Sequence, residues 1–471
     1  MTVREMGTIP CRRRDLFLLS VCTLTIFIWL QLHHLNNHAV SGAATHWTQK
    51  SQTPIQSPTE AWQQDPNIED ERNKAANATL GFGRIIAVST RTSHRRTSLS
   101  ISADLTGLEI SIPDQPAWTD ADLANFKAKN KSMIKKGSAL AWMGHLNALR
   151  WFMTQPYETA VIIEDDINWD IHLRTKQAPL LARGFHDLLE REMRTNGYIR
   201  PVKDKDHNRT TPWTPIPKPS TLELKSKAIS SGPYQRTAFW PDSKYWEILH
   251  LGHCGDFYPA DKLSHILHNT YPDPNMPSPT GLHIDTQRFL NPLGIPPRHR
   301  LIHQSLRPLC TFAYAVTKES ARKILEQFST EEENHGTAAY DVRILEACRD
   351  LGFKCWSANP ELFHHLDDQA SEIANVNGPK PAGIVARKEE FGVPDEPPPS
   401  AEDTARARAR GTPNVACGIR TLVERLGASR NVREMVRLAG EMDGMCPITV
   451  DELDLMRGQI VEKGRSNLPV G

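Results

Sequence analysis

The chain has no CxxC pair. Its eight cysteines are scattered over 471 residues, which argues against a zinc ribbon or a thioredoxin-type redox site. It also lacks a charge excess. Lys and Arg total 56, Asp and Glu total 55, and the formal net charge is +1, so the basic field of a general nucleic-acid binder is missing. The 34 prolines are bunched rather than periodic, which excludes collagen, and no internal repeat is visible. What is present suffices for a globular core: 39 % of residues are apolar by the AVILMFWYC count and 24 % are charged, too varied for a wholly disordered chain. The length exceeds one ordinary domain and suggests roughly three segments.

One apolar run stands apart. Leu16 to Leu32 reads LFLLSVCTLTIFIWLQL without a charge, and as a helix it would be roughly 25 Å long, enough for a thin early-secretory bilayer. Arg12, Arg13 and Arg14 precede it, and the next Lys or Arg is Lys50. The positive-inside rule therefore predicts a cytosolic tail over 1–15, a signal anchor over 16–32 and a lumenal remainder, as in a single-pass type II protein of the Golgi or endoplasmic reticulum membrane. A cleaved signal peptide, cut near Ser41 to Ala44, is the alternative. Both send the bulk of the chain into the secretory pathway. Glycosylation acceptors agree with this at Asn77-Ala-Thr79, Asn130-Lys-Ser132 and Asn208-Arg-Thr210. Six cysteines then lie on the lumenal side, at 254, 310, 348, 355, 417 and 446. They permit up to three disulfides among 15 connectivities, although Cys348, on an apolar helical face with Ile344, Leu345 and Leu351, also reads as a buried thiol.

Residues 33–80 are polar and without an apolar period, and read as a flexible stem. Residues 81–391 alternate short apolar strands with helices, which predicts an α/β sheet domain. Strands are expected at Phe82–Ser89, Leu108–Ile112, Tyr157–Ile163, Tyr245–Leu249, Thr311–Val316 and Phe353–Trp356. Helices are expected at Thr97–Leu108, Ser138–Met153, Thr317–Phe328 and Asp341–Leu351. Between Gly197 and Pro297 the pattern weakens into two proline-marked stretches. Residues 392–414 form a proline-rich and basic linker. Residues 415–471 read as a small helical appendage of two or three short helices, one opened by the capping box Thr449-Val450-Asp451-Glu452. Short helices are marginal alone, so Cys417 and Cys446 are expected to pair and staple the appendage. The rival is a link from one of them to Cys254 or Cys310.

Chemistry concentrates at strand ends, where open α/β sheets bind ligands. The buried run TAVII is followed directly by Glu164-Asp165-Asp166. Three consecutive carboxylates repel one another unless solvent or a divalent cation screens them, and oxygen ligands of this kind suit Mn²⁺ or Mg²⁺, which in turn grip a diphosphate. A solvated acidic turn is the bland alternative. Past the first strand, Arg91-Thr92-Ser93-His94-Arg95-Arg96 offers guanidinium forks and hydroxyls to phosphate oxygens, or is a solvated basic turn. His145 lies at the edge of an apolar helical stripe and reads equally as a satisfied core histidine. His364 and His365 follow a strand-like segment and could complete a metal shell, or form a surface pair.

The order of these pieces resembles glycosyltransferase family 25, which includes lipopolysaccharide and collagen galactosyltransferases, and is most similar to its fungal members. The most specific stretch runs from Lys136-Gly-Ser-Ala-Leu-Ala-Trp-Met-Gly-His145 through Val161-Ile-Ile-Glu-Asp-Asp166, followed by Tyr314-Ala-Val-Thr-Lys318 and an Asp-led helix. The likeness spans roughly residues 83–365 and leaves out the C-terminal segment. Gly144 stands where the family usually has Ser, and His94 where Asp is common. The resemblance implies a GT-A-like domain with a mixed, mainly parallel sheet. It implies metal-dependent, inverting transfer of a sugar, galactose foremost, from a UDP-sugar to a glycan or glycoprotein acceptor. In that scheme Asp166, with Asp165 and His364, holds the metal. Arg91, Arg95, Arg96, His145, Glu164 and Asp165 serve the donor, and Asp341 is the candidate base, its bland role being a helix cap. Two readings from other classes stay open. One is a non-catalytic lumenal protein that binds nucleotide sugar or glycan. The other is a metal-dependent phosphohydrolase, for which a two-metal ligand set is not apparent.

Overall fold

The structure, a computed structural model, describes residues 74–128, 132, 134–200, 229–230, 234, 238–256, 258, 265–331, 339–366, 412–444 and 446. The anchor at 16–32, the stem before residue 74, the sequons' Asn130 and Asn208, the linker before residue 412 and the capping box at 449–452 lie outside the described residues. Among the described residues no helix is long and apolar enough to cross a membrane.

An eight-stranded sheet organises the molecule. Its strands are β1 (Arg84–Val88), β2 (Ile110–Ser111), β3 (Thr159–Glu164), β7 (Ile248–Gly252), β8 (His268–Pro272), β9 (His299–Gln304), β10 (Ala313–Thr317) and β11 (Cys355–Asn359), in the order β2-β1-β3-β10-β7-β11-β9-β8. The remaining strands make two small ribbons: β4 (Ile167–Trp169) with β12 (Phe363–His365), and β5 (Tyr198–Ile199) with β6 (Ile229–Ser230). The sheet is mixed, but not mainly parallel. β1 runs parallel to β2 and β3, and β7 to β11, whereas β10 is antiparallel to both its neighbours, as β9 is to both of its own. Insertion of β10 and β9 against the prevailing direction brings their amino ends to the edge where β1, β3, β7 and β11 end.

Helices cover both faces. On one side pack α3 (Lys136–Met153), α6 (Lys318–Gln327) and α7 (Tyr340–Arg349), where Trp142, Leu146, Leu149, Ile324 and Ile344 meet Ile86, Ile162, Tyr314 and Ile248 of the sheet. On the other side lie α1 (Arg95–Thr106), α4 (Ala178–Asn196), α8 (Ile419–Leu426) and α9 (Arg430–Gly440), with Leu99, Phe185, Leu422 and Val436 against Ile85, Val161, Ile163 and Trp356. Two short helices, α2 (Asp120–Phe126) and α5 (Ile284–Leu290), complete the set among the described residues. Strand alternation produces this division: in β3, Ala160 and Ile162 face one layer and Val161 and Ile163 the other. The expected stripe on α3 is observed, with Trp142, Met143, Leu146, Leu149 and Phe152 buried. Thr317 caps α6 as expected, its hydroxyl accepting from the Ser320 amide.

Three disulfides join Cys254 to Cys310, Cys348 to Cys355 and Cys417 to Cys446. The first ties the exit of β7 to the entry of β10, and the second ties α7 to β11, so Cys348 is not a free buried thiol. The third is the pairing expected for the C-terminal helices. Those helices, however, are not an appendage. Leu422, Val432, Met435, Val436 and Ala439 are buried in the same core cluster as β1 and β3, because an amphipathic helix pair of this size finds more apolar surface on the sheet domain than within itself.

Candidate functional site

Register builds the site. In the parallel pair β1–β3, Val88 sits opposite Glu164, so the residues that follow, the basic turn 89–96 and the acidic turn 164–166, are neighbours at the carboxyl edge of the sheet. The amino end of β10 comes to the same edge, where the Glu164 amide donates to the Phe312 carbonyl at 2.9 Å. The β4–β12 ribbon then folds back over the acidic turn: His365 pairs with Ile167, and the Leu366 amide donates to the Asp166 carbonyl at 2.9 Å.

Within this frame the three carboxylates part company. Asp165 is buried and accepts from the Ser89 hydroxyl at 2.5 Å, with the Arg95 guanidinium 3.5 Å away. Arg95 also reaches Asp166 Oδ2 at 3.3 Å. Glu164 Oε1 lies 3.3 Å from His145 Nε2, and Glu164 Oε2 lies 3.8 Å from His365 Nε2. His365 Nε2 is also 3.8 Å from Asp166 Oδ1. Ligand atoms of Glu164, Asp166 and His365 all lie within 4.8 Å of one another, the spacing of groups that share an ion. Asp166 Oδ1 is buried and has no hydrogen-bond partner among the described residues. A gap of 3.8 Å to an imidazole is too long for a hydrogen bond, and short enough for one ion about 2.1 Å from each atom.

Electrostatics separate the two inner carboxyls. Burial disfavours the Glu164 anion, yet the His145 hydrogen bond and the adjacent His145 and His365 imidazoles hold its carboxyl well below the ordinary range. For Asp166, burial and then the Glu164 charge push the carboxyl up, against His365 and Arg95. Two acids sharing a site divide in this way, and a divalent cation favours the ionised form of both.

The expected residues are distributed as follows. Arg91 is exposed and bonds Asp114 at 2.6 Å, and Arg96 bonds Ser89 and approaches Asp114 at 3.7 Å. These two arginines line the outer rim. Arg95 lies beneath it, 3 % exposed, and braces Asp165 and Asp166 rather than facing a ligand. His145 is the buried, satisfied histidine of the bland reading, yet it touches the cluster: Nδ1 meets Tyr314 Oη at 3.3 Å, Nε2 meets Glu164, and its ring stacks on Tyr340 at 4.6 Å. His364 is corrected. Along β12 successive side chains alternate in direction, so His364 bonds Glu361 while His365 joins the acidic group. Asp165 likewise stands outside that group, taken by Ser89 and Arg95. Asp341 is not the helix cap, which is Ala339. It lies in the first turn of α7, its Oδ1 accepting from the Val342 amide at 2.9 Å, and burial together with the nearby Glu164 charge raises its pKa.

No family model matches the chain, and no curated protein matches it. A Cβ on Gly144 would stand 3.1 Å from Val88 Cγ1 at the end of β1, so a larger residue here presses on the strand that carries the basic turn.

Sequence reasoning missed three groups. Ser89 is signalled only by the β1–β3 register. Tyr314 and Tyr340, whose hydroxyls are 2.9 Å apart, look apolar in a strand and a helix pattern. Arg420 comes from far along the chain. Its Nη1 donates to the carbonyls of Asp165 and, at 3.1 Å, Ile167, and its Nη2 donates to Ser98 at 2.7 Å. Burial lowers its pKa to about 10, against the raising charges of Asp165 and Asp166.

Proposed function

We propose that this chain is a metal-dependent glycosyltransferase with a GT-A-like domain that moves a sugar, galactose foremost, from a UDP-sugar to a secretory-pathway acceptor with inversion. The observation that carries the reading is the buried Asp166 Oδ1, which has no hydrogen bond among the described residues and is set within reach of Glu164 and His365 at the carboxyl edge of the sheet. The two carboxylates are of the kind that suits Mn²⁺ or Mg²⁺, and the imidazole of His365 adds a nitrogen ligand that favours a transition metal such as Mn²⁺ over Mg²⁺. A cation bound there supplies neutralisation of the charge that develops on a departing diphosphate. Glu164, Asp166 and His365 would hold it, His145 fixes the Glu164 carboxyl, and Arg95 fixes Asp165 and Asp166. Arg91 and Arg96, at the rim, bind or steer the phosphates. Asp341, with its raised pKa, is suited to take the proton of an acceptor hydroxyl. Anchorage through residues 16–32 in the Golgi or endoplasmic reticulum membrane belongs to the same reading.

The test is UDP release by the full chain from a panel of nucleotide sugars with Mn²⁺, with and without glycan acceptors. One donor should be turned over, and Asp166→Asn should abolish that turnover while thermal stability stays level or rises, since one of two repelling charges is removed. An Asp166→Asn protein with wild-type Mn²⁺-dependent release would defeat the assignment.

A further inference from the structure

The acidic turn is held from behind by a segment over two hundred residues downstream. Arg420, 1 % exposed, lies at the start of α8. One of its guanidinium nitrogens donates to two peptide carbonyls, those of Asp165 and Ile167, which flank the peptide carbonyl of Asp166. Its backbone amide donates to Asn168 Oδ1 at 3.0 Å, while Asn168 Nδ2 donates to Thr412 at 3.0 Å and Thr421 at 3.1 Å. The contact is close enough that a Cβ on Gly418 would meet Asn168 Nδ2 at 2.3 Å. Farther along, the Cys417 amide donates to Asp170 Oδ2 at 2.7 Å and the Ile171 amide to the Cys417 carbonyl at 3.0 Å. Cys417 is in turn fixed by its disulfide to Cys446.

We infer that Arg420 is a positioning residue of the cation site: it sets the backbone of residues 165–167 so that the Asp166 carboxylate is aimed at Glu164 and His365. The inference rests on the proposal that this cluster binds a divalent cation. Burying a guanidinium is costly, the more so as Arg420 Nε finds no hydrogen-bond partner among the described residues, and a helix needing only apolar packing would place an aliphatic residue there. Arginine instead lets one nitrogen hold the carbonyls on both sides of one residue while the other end of its planar group is tied to Ser98. Outer contacts of this kind govern how well metal ligands are oriented.

Mn²⁺ alone, titrated into the full chain and followed by electron paramagnetic resonance of the free ion, tests this. Arg420→Gln should weaken Mn²⁺ binding by about tenfold or more. Arg420→Lys, which keeps a donor and the charge, should fold and recover part of the affinity. Leu422→Ala, which removes packing from the same helix without touching the acidic turn, should lower thermal stability but leave Mn²⁺ affinity unchanged. If Arg420→Gln fails to fold, the comparison of Arg420→Lys with Leu422→Ala carries the decision. Wild-type Mn²⁺ affinity in the Arg420 variants, with binding lost in Asp166→Asn, would overturn the positioning role and leave the cation site standing. Absence of Mn²⁺ binding by the wild type would remove the cation site itself. A loss in Leu422→Ala equal to that in Arg420→Gln would reduce Arg420 to a stabilising residue.

Discussion

Replacing Asp341 by asparagine keeps the shape of the side chain, including an oxygen for the Val342 amide, and removes its basicity. If Asp341 accepts the proton of the incoming hydroxyl, turnover should fall by about 10²–10⁴ while Mn²⁺ and UDP affinity hold. Equal losses in binding and turnover would instead mark it as part of the first turn of α7 only. Legibility differed sharply among single residues. Glu164, Asp165 and Asp166 announce themselves as a carboxylate run after an apolar strand, and their position at the strand end was readable. Which of them points where was not, because that depends on Ser89 and Arg95 taking Asp165 through contacts 70 or more positions apart. The choice between His364 and His365 turned on the phase of a three-residue strand, which neighbouring histidines leave undetermined.

At the scale of elements, the buried ends of β7 and β9 hold a second carboxylate of consequence. Asp256 is 4 % exposed and accepts from the Leu306 and Arg307 amides, the latter at 2.7 Å. Burial nevertheless pushes its carboxyl up to about 7. A pKa raised on folding means that the folded state binds the proton more tightly. The contribution to stability is full below the unfolded value near 4 and is lost as pH rises through about 7. Asp256→Asn should remove this dependence. Chemical denaturation at about pH 5 and about pH 8 should show the variant gaining on the wild type as pH rises, by up to roughly 3 kcal/mol. A constant difference would contradict the raised pKa. The elements themselves were legible where local signals agree: the apolar stripe of α3, the Thr317 cap, and the Gly352 stop after α7, where φ is 69°. They were not legible for β8, α5 and β9, where prolines and histidines in and around the segments dilute the periodicity; α4 was passed over although Leu181, Phe185, Leu188 and Leu189 follow a helical period.

For the whole molecule, the alternation of strands and helices implied a layered α/β domain, and that is what the chain forms. Strand direction escaped the sequence, since hydrophobic patterning is the same for a buried parallel and a buried antiparallel strand. The C-terminal segment was misjudged for a related reason: its helices look marginal in isolation, and only the three-layer packing shows that they complete a face of the sheet and support the acidic turn. The molecule thus gathers the carboxyl ends of β1 and β3, the amino end of β10, a folded-back ribbon and a distant helix around one group of carboxylates. The measurement that bears most directly on its purpose is calorimetric titration of UDP into the full chain with Mn²⁺ and with a chelator. Binding should require Mn²⁺, and Asp166→Asn should bind UDP no better than the chelated wild type. UDP binding of equal strength with and without the metal, or none under either condition, would contradict a cation-held diphosphate at this site.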